Sequence, residues 1–217
     1  MLAKITAVLV GLALAAVTLP AQTSEAVELM LIRENSVSTD RDQKLFALEL
    51  LGNAVARGSI SGDMYTALER LVFSGSHNRA MASGRVVNNF PEVRFEAVRH
   101  LGAVGSAEAR SILLRAGFAE TEPLVVQEIF NALGSMAMDD NAHTVATIVR
   151  VAGRFHRAAF PSNHVALGAV NALGQISDRD GGITDGHALR YLFEVARGPY
   201  APQVRERAQE VIDSMLP

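Results

Sequence analysis

The chain has 217 residues, 49% of them apolar, and it contains neither cysteine nor tryptophan. This composition is enough for one folded domain with a core, and it excludes disulfides and zinc–thiolate sites. The net charge of −3 and the aromatic content of 6% give no basis for binding nucleic acid or an anionic membrane.

The first predicted element is an export signal over residues 1–26. A short basic start is followed by an uncharged apolar run from Ile5 to Leu19. This run is too short to span a bilayer comfortably, but it fits the hydrophobic region of a secretory signal.

Cleavage of this signal is expected between residues 21 and 26, after one of two alanines. Residues 27–217 would then be a single domain without an integral membrane segment, located in a bacterial periplasm or secreted. The alternative is an uncleaved membrane anchor.

Three further predictions concern the N-terminal part of that domain. Glu25 to Arg33 has apolar residues at helical spacing and is expected to form a helix that covers the first repeat. Ser36 to Asp40 is expected to be a polar loop, and Gly75 to Asn89 a short additional helix between repeats.

A short phrase recurs along the chain. Its copies start at Gln43, Val93, Val125, Val165 and Val204. The residues four positions later are mostly small: Ala47, Ala97, Ile129, Ala169 and Ala208. The residues eight positions later are Leu51, Leu101, Leu133, Leu173 and Ile212. Because offsets of 0, 4 and 8 lie on one side of an α-helix, the pattern predicts five helices that bury equivalent faces.

Polar residues and helix signals complete this pattern. Every copy has a polar residue at offset 6, which predicts the solvent side: Glu49, Arg99, Asn131, Asn171 and Glu210. Three copies have a proline two residues before their start, which suits a first helical turn: Pro91, Pro123 and Pro202. Four copies have a glycine after the leucine, which suits either a helix end or a close helix–helix approach: Gly52, Gly102, Gly134 and Gly174.

Further helices are predicted between the copies, because apolar residues there also recur at helical spacing. They cover Met64–Phe73, Ala107–Ala119, Ala142–Phe155 and Gly186–Ala196, and the last copy extends over Pro202–Met215. Each repeat is therefore a helical hairpin, and the predicted fold class is all-α.

The phrase Pro-x-Val-Arg-x-x-Ala-x-x-x-Leu-Gly, from Pro91 to Gly102, resembles the second helix of HEAT-like repeats, especially their short bacterial form. The resemblance covers roughly residues 42 to 215. It implies an α-α superhelix, a right-handed solenoid of stacked hairpins. The family's repeats usually carry an aspartate before the proline, whereas Phe90, Glu122 and Ala201 stand there in this chain.

In such solenoids the second helices usually line the concave face. The resemblance therefore implies a partner-binding face made of five residues: Glu96, Arg99, Glu128, Asn131 and Asn171.

Signals for other chemistry are weak. The six histidines are scattered without metal-ligand spacing, and the acidic loop from Asp178 to Asp185 lacks the glycine and glutamate positions of a calcium loop. We therefore expect no catalytic residue, metal or cofactor.

The segment from Arg154 to Phe160 combines basic and aromatic residues. It is either an exposed docking site or, as we favour, a connection in which both phenylalanines fold back onto the core.

These observations favour an exported, non-catalytic binding or scaffold protein whose partner is another protein. A structural spacer without a specific partner is a variant of this hypothesis. The alternative is a HEAT-like-fold enzyme with an unrecognised site, of the bilin lyase or DNA glycosylase kind. A lyase of that kind works inside cells, which conflicts with the predicted export signal. A glycosylase needs a basic, aromatic groove, whereas this chain is acidic and has no tryptophan.

Overall fold

The computed structural model describes residues 20–215, with side chains from Glu25 onward. This part of the chain is all-α apart from one short hairpin. The helices are α1 (Pro20–Val37), α2 (Arg41–Ala56), α3 (Gly62–Val72), α4 (Pro91–Val104), α5 (Ala107–Ala119), α6 (Pro123–Ser135), α7 (Ala142–His156), α8 (Asn163–Asp180), α9 (Gly186–Arg197) and α10 (Pro202–Met215). The two strands are β1 (Met81–Ala82) and β2 (Arg85–Val86).

The helices stack in two layers. One layer contains α2, α4, α6, α8 and α10, each packed against the next. The other layer contains α1, α3, α5, α7 and α9, which follow one another in the same way. Consecutive helices also pack across the layers, as α3 does with α4 and α9 with α10. This arrangement of successive hairpins fits the predicted solenoid.

The buried stripe predicted from the repeated phrase is confirmed. Ala97, Ile129 and Ala169, at offset 4, have no solvent-exposed surface. The residues at offset 8 are at most 1% exposed: Leu51, Leu101, Leu133, Leu173 and Ile212. Burial of these repeated side chains supplies the main driving force for stacking.

The glycines after the repeated leucine allow close helix approach and do not end the helices, since α4 and α6 continue past Gly102 and Gly134. A Cβ on Gly102 would lie 2.9 Å from the Ala132 Cβ atom, and one on Gly134 would lie 2.7 Å from the Ala172 Cα atom. Small residues at these positions therefore set the spacing between the second helices.

The prediction of a helix from Gly75 to Asn89 is wrong. The segment contains the antiparallel pair β1 and β2, joined by a turn in which Ser83 and Gly84 have φ angles of 50° and 76°. Two consecutive left-handed residues interrupt a helix but suit a tight hairpin turn. The Asn88 side chain also bonds to the backbone at the base of the hairpin, because its Nδ2 donates to the Asn78 carbonyl at 2.7 Å.

The predicted boundaries near the N-terminus also change. The helix expected over Glu25–Arg33 is confirmed, but α1 continues to Val37, so the predicted loop from Ser36 is shorter than expected. Ser36 fits the last turn because it is fully buried and its Oγ donates to the Arg33 carbonyl at 3.0 Å. The apolar run of the predicted export signal lies outside the described residues.

Within residues 20–215, none of the helices combines the length and the apolar character that crossing a membrane requires.

Candidate functional site

The five residues predicted to bind a partner lie on three neighbouring helices of one layer. Glu96 and Arg99 are on α4, Glu128 and Asn131 on α6, and Asn171 on α8. Arg99 is exposed and the other four are partly exposed. The surface that contains them, here called the second-helix face, therefore crosses three consecutive repeats.

Polar pairs recur along this face. The Arg99 guanidinium donates to Glu96 Oε2 at 3.0 Å, and Asn131 Nδ2 donates to Glu128 Oε2 at 3.2 Å. On the next helix, Asn171 Oδ1 accepts from Arg207 Nε at 3.0 Å. The ion pair of Arg99 with Glu96 is exposed and contributes little to stability, so these two side chains can exchange their partner for a bound molecule at low cost.

A shallow groove of about 380 Å³ brings part of the predicted set together. Arg99, Glu128 and Asn131 line it, joined by Gln175 from α8, whereas Glu96 and Asn171 are not in its lining. The close approach of α4 and α6 at Gly102 leaves only small side chains at the base of the groove. The groove thus offers cationic, anionic and amide groups side by side.

Sequence reasoning missed a larger pocket of about 600 Å³ in the other layer, between α3 and α5. Its lining includes Phe73, Arg115 and Phe118. The Arg115 guanidinium carbon lies 5.8 Å from the centre of the Phe73 ring, and its NH1 donates to Glu69 Oε1 at 2.6 Å. Arg115 is more than forty positions from both Phe73 and Glu69 in sequence, so helical periodicity carries no signal for these pairings.

The segment from Arg154 to Phe160 was expected either to be exposed or to fold both phenylalanines back onto the core, and each phenylalanine behaves differently. Phe155 is partly buried against the core, and Arg154 donates to the Gly117 carbonyl at 2.9 Å. Phe160 is 92% exposed, so the expectation that both phenylalanines fold back is wrong for this one. Phe160 lies in the connection between α7 and α8.

One histidine takes part in a cluster that sequence reasoning did not find. His156 Nδ1 lies 2.8 Å from the Tyr200 hydroxyl, and the two rings are stacked. Burial, with a smaller contribution from Glu194, raises the pKa of Tyr200 to about 12. Burial also raises the pKa of Tyr191, whose ring meets His156 edge-on. Both phenols therefore stay neutral near pH 7, and the cluster connects α7 to α9.

His143 and His187, near the starts of α7 and α9, are both exposed. Across residues 20–215, no three histidine, aspartate or glutamate side chains are grouped so that they could hold a metal ion.

A buried ion pair connects successive repeats. Arg94 and Glu120 are each 3% exposed, and Arg94 Nε donates to Glu120 Oε2 at 2.7 Å. Arg94 NH1 also donates to the Ser74 carbonyl and to Asn89 Oδ1, at 3.1 and 2.8 Å. Arg94 is the arginine of the repeated phrase, and its partner is three residues before Pro123 rather than directly before it.

Comparison with known proteins adds no assignment, because no family model matches the sequence and a search of curated proteins finds no match.

Proposed function

We propose that this chain is a HEAT-like helical repeat protein that binds another protein through the second-helix face. The observation that carries the proposal is the recurrence of at least partly exposed polar pairs on the directly packed helices α4 and α6, followed by a pair that joins α8 to α10. A face that repeats from one helix to the next suits an elongated ligand, such as an extended peptide or the edge of a folded partner.

The mixed chemistry of the groove supports a polar partner surface. Arg99 can donate to carbonyl or carboxylate oxygens, Glu128 can accept from backbone or side-chain N–H groups, and the Asn131 amide can do both. The apolar run from Ile5 to Leu19 is the basis for placing this activity in the cell envelope.

The test is a triple substitution, Arg99→Ala with Asn131→Ala and Asn171→Ala. We expect the captured partner in an affinity purification from the native cell envelope to fall about tenfold or more, because several interface hydrogen bonds are lost. The thermal unfolding temperature should change little, since the three side chains are at least partly exposed.

The matched control replaces three exposed residues of the other layer, Glu108, Ser111 and Arg190, with alanine. This variant should capture the same partners at the wild-type yield. Equal recovery from both triple variants would show that the second-helix face is not the binding surface.

A further inference from the structure

A second pocket, distinct from the second-helix face, collects positive charge. It has a volume of about 370 Å³ and lies between the end of α1, the start of α2, the end of α3 and the segment before β1. Lys44, Arg70 and Arg79 are in its lining, together with Ser36 and Asn88. None of the residues that line it is acidic.

Lys44 is the central group of this pocket. It is 3% exposed, and its Nζ donates to the Ser36 carbonyl at 3.2 Å. An ammonium group has three donors, so one carbonyl leaves most of its hydrogen-bonding capacity for a further ligand. Burial, and then the nearby Arg70, lower the pKa of Lys44.

The two arginines add positive charge to the same pocket. Arg70 NH1 lies 3.4 Å from Ser36 Oγ, so Lys44 and Arg70 approach the two oxygens of one serine. Arg79 uses its Nε to bond the Ser76 carbonyl at 3.1 Å, which leaves both terminal nitrogens available. None of the three cations takes part in an ion pair with any carboxylate within the described part of the chain.

A close backbone contact and a side-chain hydrogen bond hold the walls of this pocket in place. Gly75, with φ of 76°, lets the chain pass against the Asn88 and Asn89 backbone, where a Cβ would approach to 2.4 Å. The Asn88 Oδ1 then accepts from the Ala80 backbone N–H at 2.8 Å, which fixes the segment that carries Arg79. Burying a charge without a counter-ion is costly, so a fold that holds Lys44 beside Arg70 is suited to an anion that completes the site.

We propose that Lys44, Arg70 and Arg79 form a binding site for a phosphate group. Three cations in a pocket with no acidic lining residue match a dianion better than the single charge of a carboxylate. The arginine guanidiniums supply paired donors for phosphate oxygens, and Lys44 supplies a point charge at the bottom of the pocket. The volume also leaves room for an organic substituent on the phosphate.

The probe is inorganic phosphate, titrated at constant ionic strength and followed by calorimetry and by the thermal unfolding temperature. Constant ionic strength separates site binding from general screening. We expect saturable binding that raises the unfolding temperature of the wild-type chain. Lys44→Met and Arg70→Gln should each weaken phosphate binding about tenfold or more, because a charge-assisted hydrogen bond is lost.

Two further variants, one in the pocket and one outside it, separate loss of phosphate binding from loss of folding. Arg79→Gln changes an exposed residue and should fold normally, yet it should also weaken phosphate binding. Arg205→Gln removes the same charge from the exposed side of α10 and should bind phosphate like the wild type. Without phosphate, Lys44→Met should unfold at a temperature equal to or above that of the wild type, because it removes an uncompensated buried cation.

Binding that does not saturate, or that is equal in the wild type and in the Lys44, Arg70 and Arg79 variants, would overturn the proposal. Acetate binding as tightly as phosphate would overturn the phosphate assignment as well. Glycerol 3-phosphate distinguishes the sources: tighter binding than inorganic phosphate indicates a phosphate monoester, and equal binding indicates free phosphate. These outcomes do not depend on the second-helix face.

Discussion

At the scale of single residues, the burial of a charged side chain decides how much its ion pair matters for the stability of the fold. Arg94 and Arg99 lie five residues apart on α4, and each is paired with a glutamate. Arg94 is 3% exposed and connects three segments, whereas the Arg99 side chain is 56% exposed and pairs within its own helix. Removing one partner of a buried pair leaves an uncompensated charge, but removing an exposed partner leaves a charge that water solvates.

We therefore expect Arg94→Met to lower the free energy of unfolding by about 3 kcal/mol or more, because Glu120 would remain buried without its cation. Arg99→Met, the matched control on the same helix, should change it by less than about 0.5 kcal/mol. Urea denaturation followed by circular dichroism measures both values. Similar losses for the two variants would show that Arg94 is not the structural cation of the repeat junction.

At the scale of secondary-structure elements, glycine sets the distance between neighbouring second helices. The same close approach occurs at two other glycines of the repeated phrase. A Cβ on Gly52 would lie 2.7 Å from the His100 ring, and one on Gly174 would lie 2.9 Å from Val211 Cγ2. At Gly134 the obstacle is the Ala172 Cα atom, which belongs to the backbone and cannot rotate away. A side chain there would push α6 and α8 apart.

Gly134→Ala should accordingly lower the free energy of unfolding by about 1–3 kcal/mol, although alanine is the better helix former. Gly186→Ala is the matched control, since Gly186 also lies in a helix and nothing is within 4 Å of its would-be Cβ. The control should be neutral or stabilising by up to about 1 kcal/mol. Thermal unfolding of both variants measures the difference, and a stabilising Gly134→Ala would contradict the close-approach role.

At the scale of the whole molecule, each helix packs against the helices that come one or two places before or after it in the order α1 to α10. The last described helix, α10, packs on α8 and α9. It buries one stripe, formed by Val204, Ala208, Val211 and Ile212, while its other side faces solvent. Removing an end unit from such a stack exposes one interface and leaves the more distant ones intact.

A chain that ends after residue 201 should therefore keep its helical circular dichroism per residue but unfold at a lower temperature. It should also bind a hydrophobic dye more strongly than the full chain, because the α8 and α9 surfaces become exposed. Arg205→Gln, an exposed change within α10, should have neither effect. Loss of all helical signal in the shortened chain would indicate one indivisible core instead of stacked repeats.

Much of the helical framework could be predicted from the sequence, because the signals are local. Pro91, Pro123 and Pro202 begin α4, α6 and α10, and the periodicity of alanine and leucine correctly identified the buried face. The five residues of the second-helix face were named from the resemblance to HEAT-like repeats, and they lie at exposed or partly exposed positions of neighbouring helices. Helical spacing directly encodes which side of a helix meets the core.

Tertiary structure decided what depends on residues far apart in the chain. The ion pair of Arg94 with Glu120 and the meeting of Lys44 with Arg70 each cross 26 positions, a separation at which periodicity says nothing about contact. The role of Gly134 depended on which backbone lies opposite, and the hairpin of β1 and β2 on two residues with positive φ. The sequence by itself determined which faces are buried, because burial follows local spacing, whereas packing determined which polar groups meet, because that depends on how the helices stack.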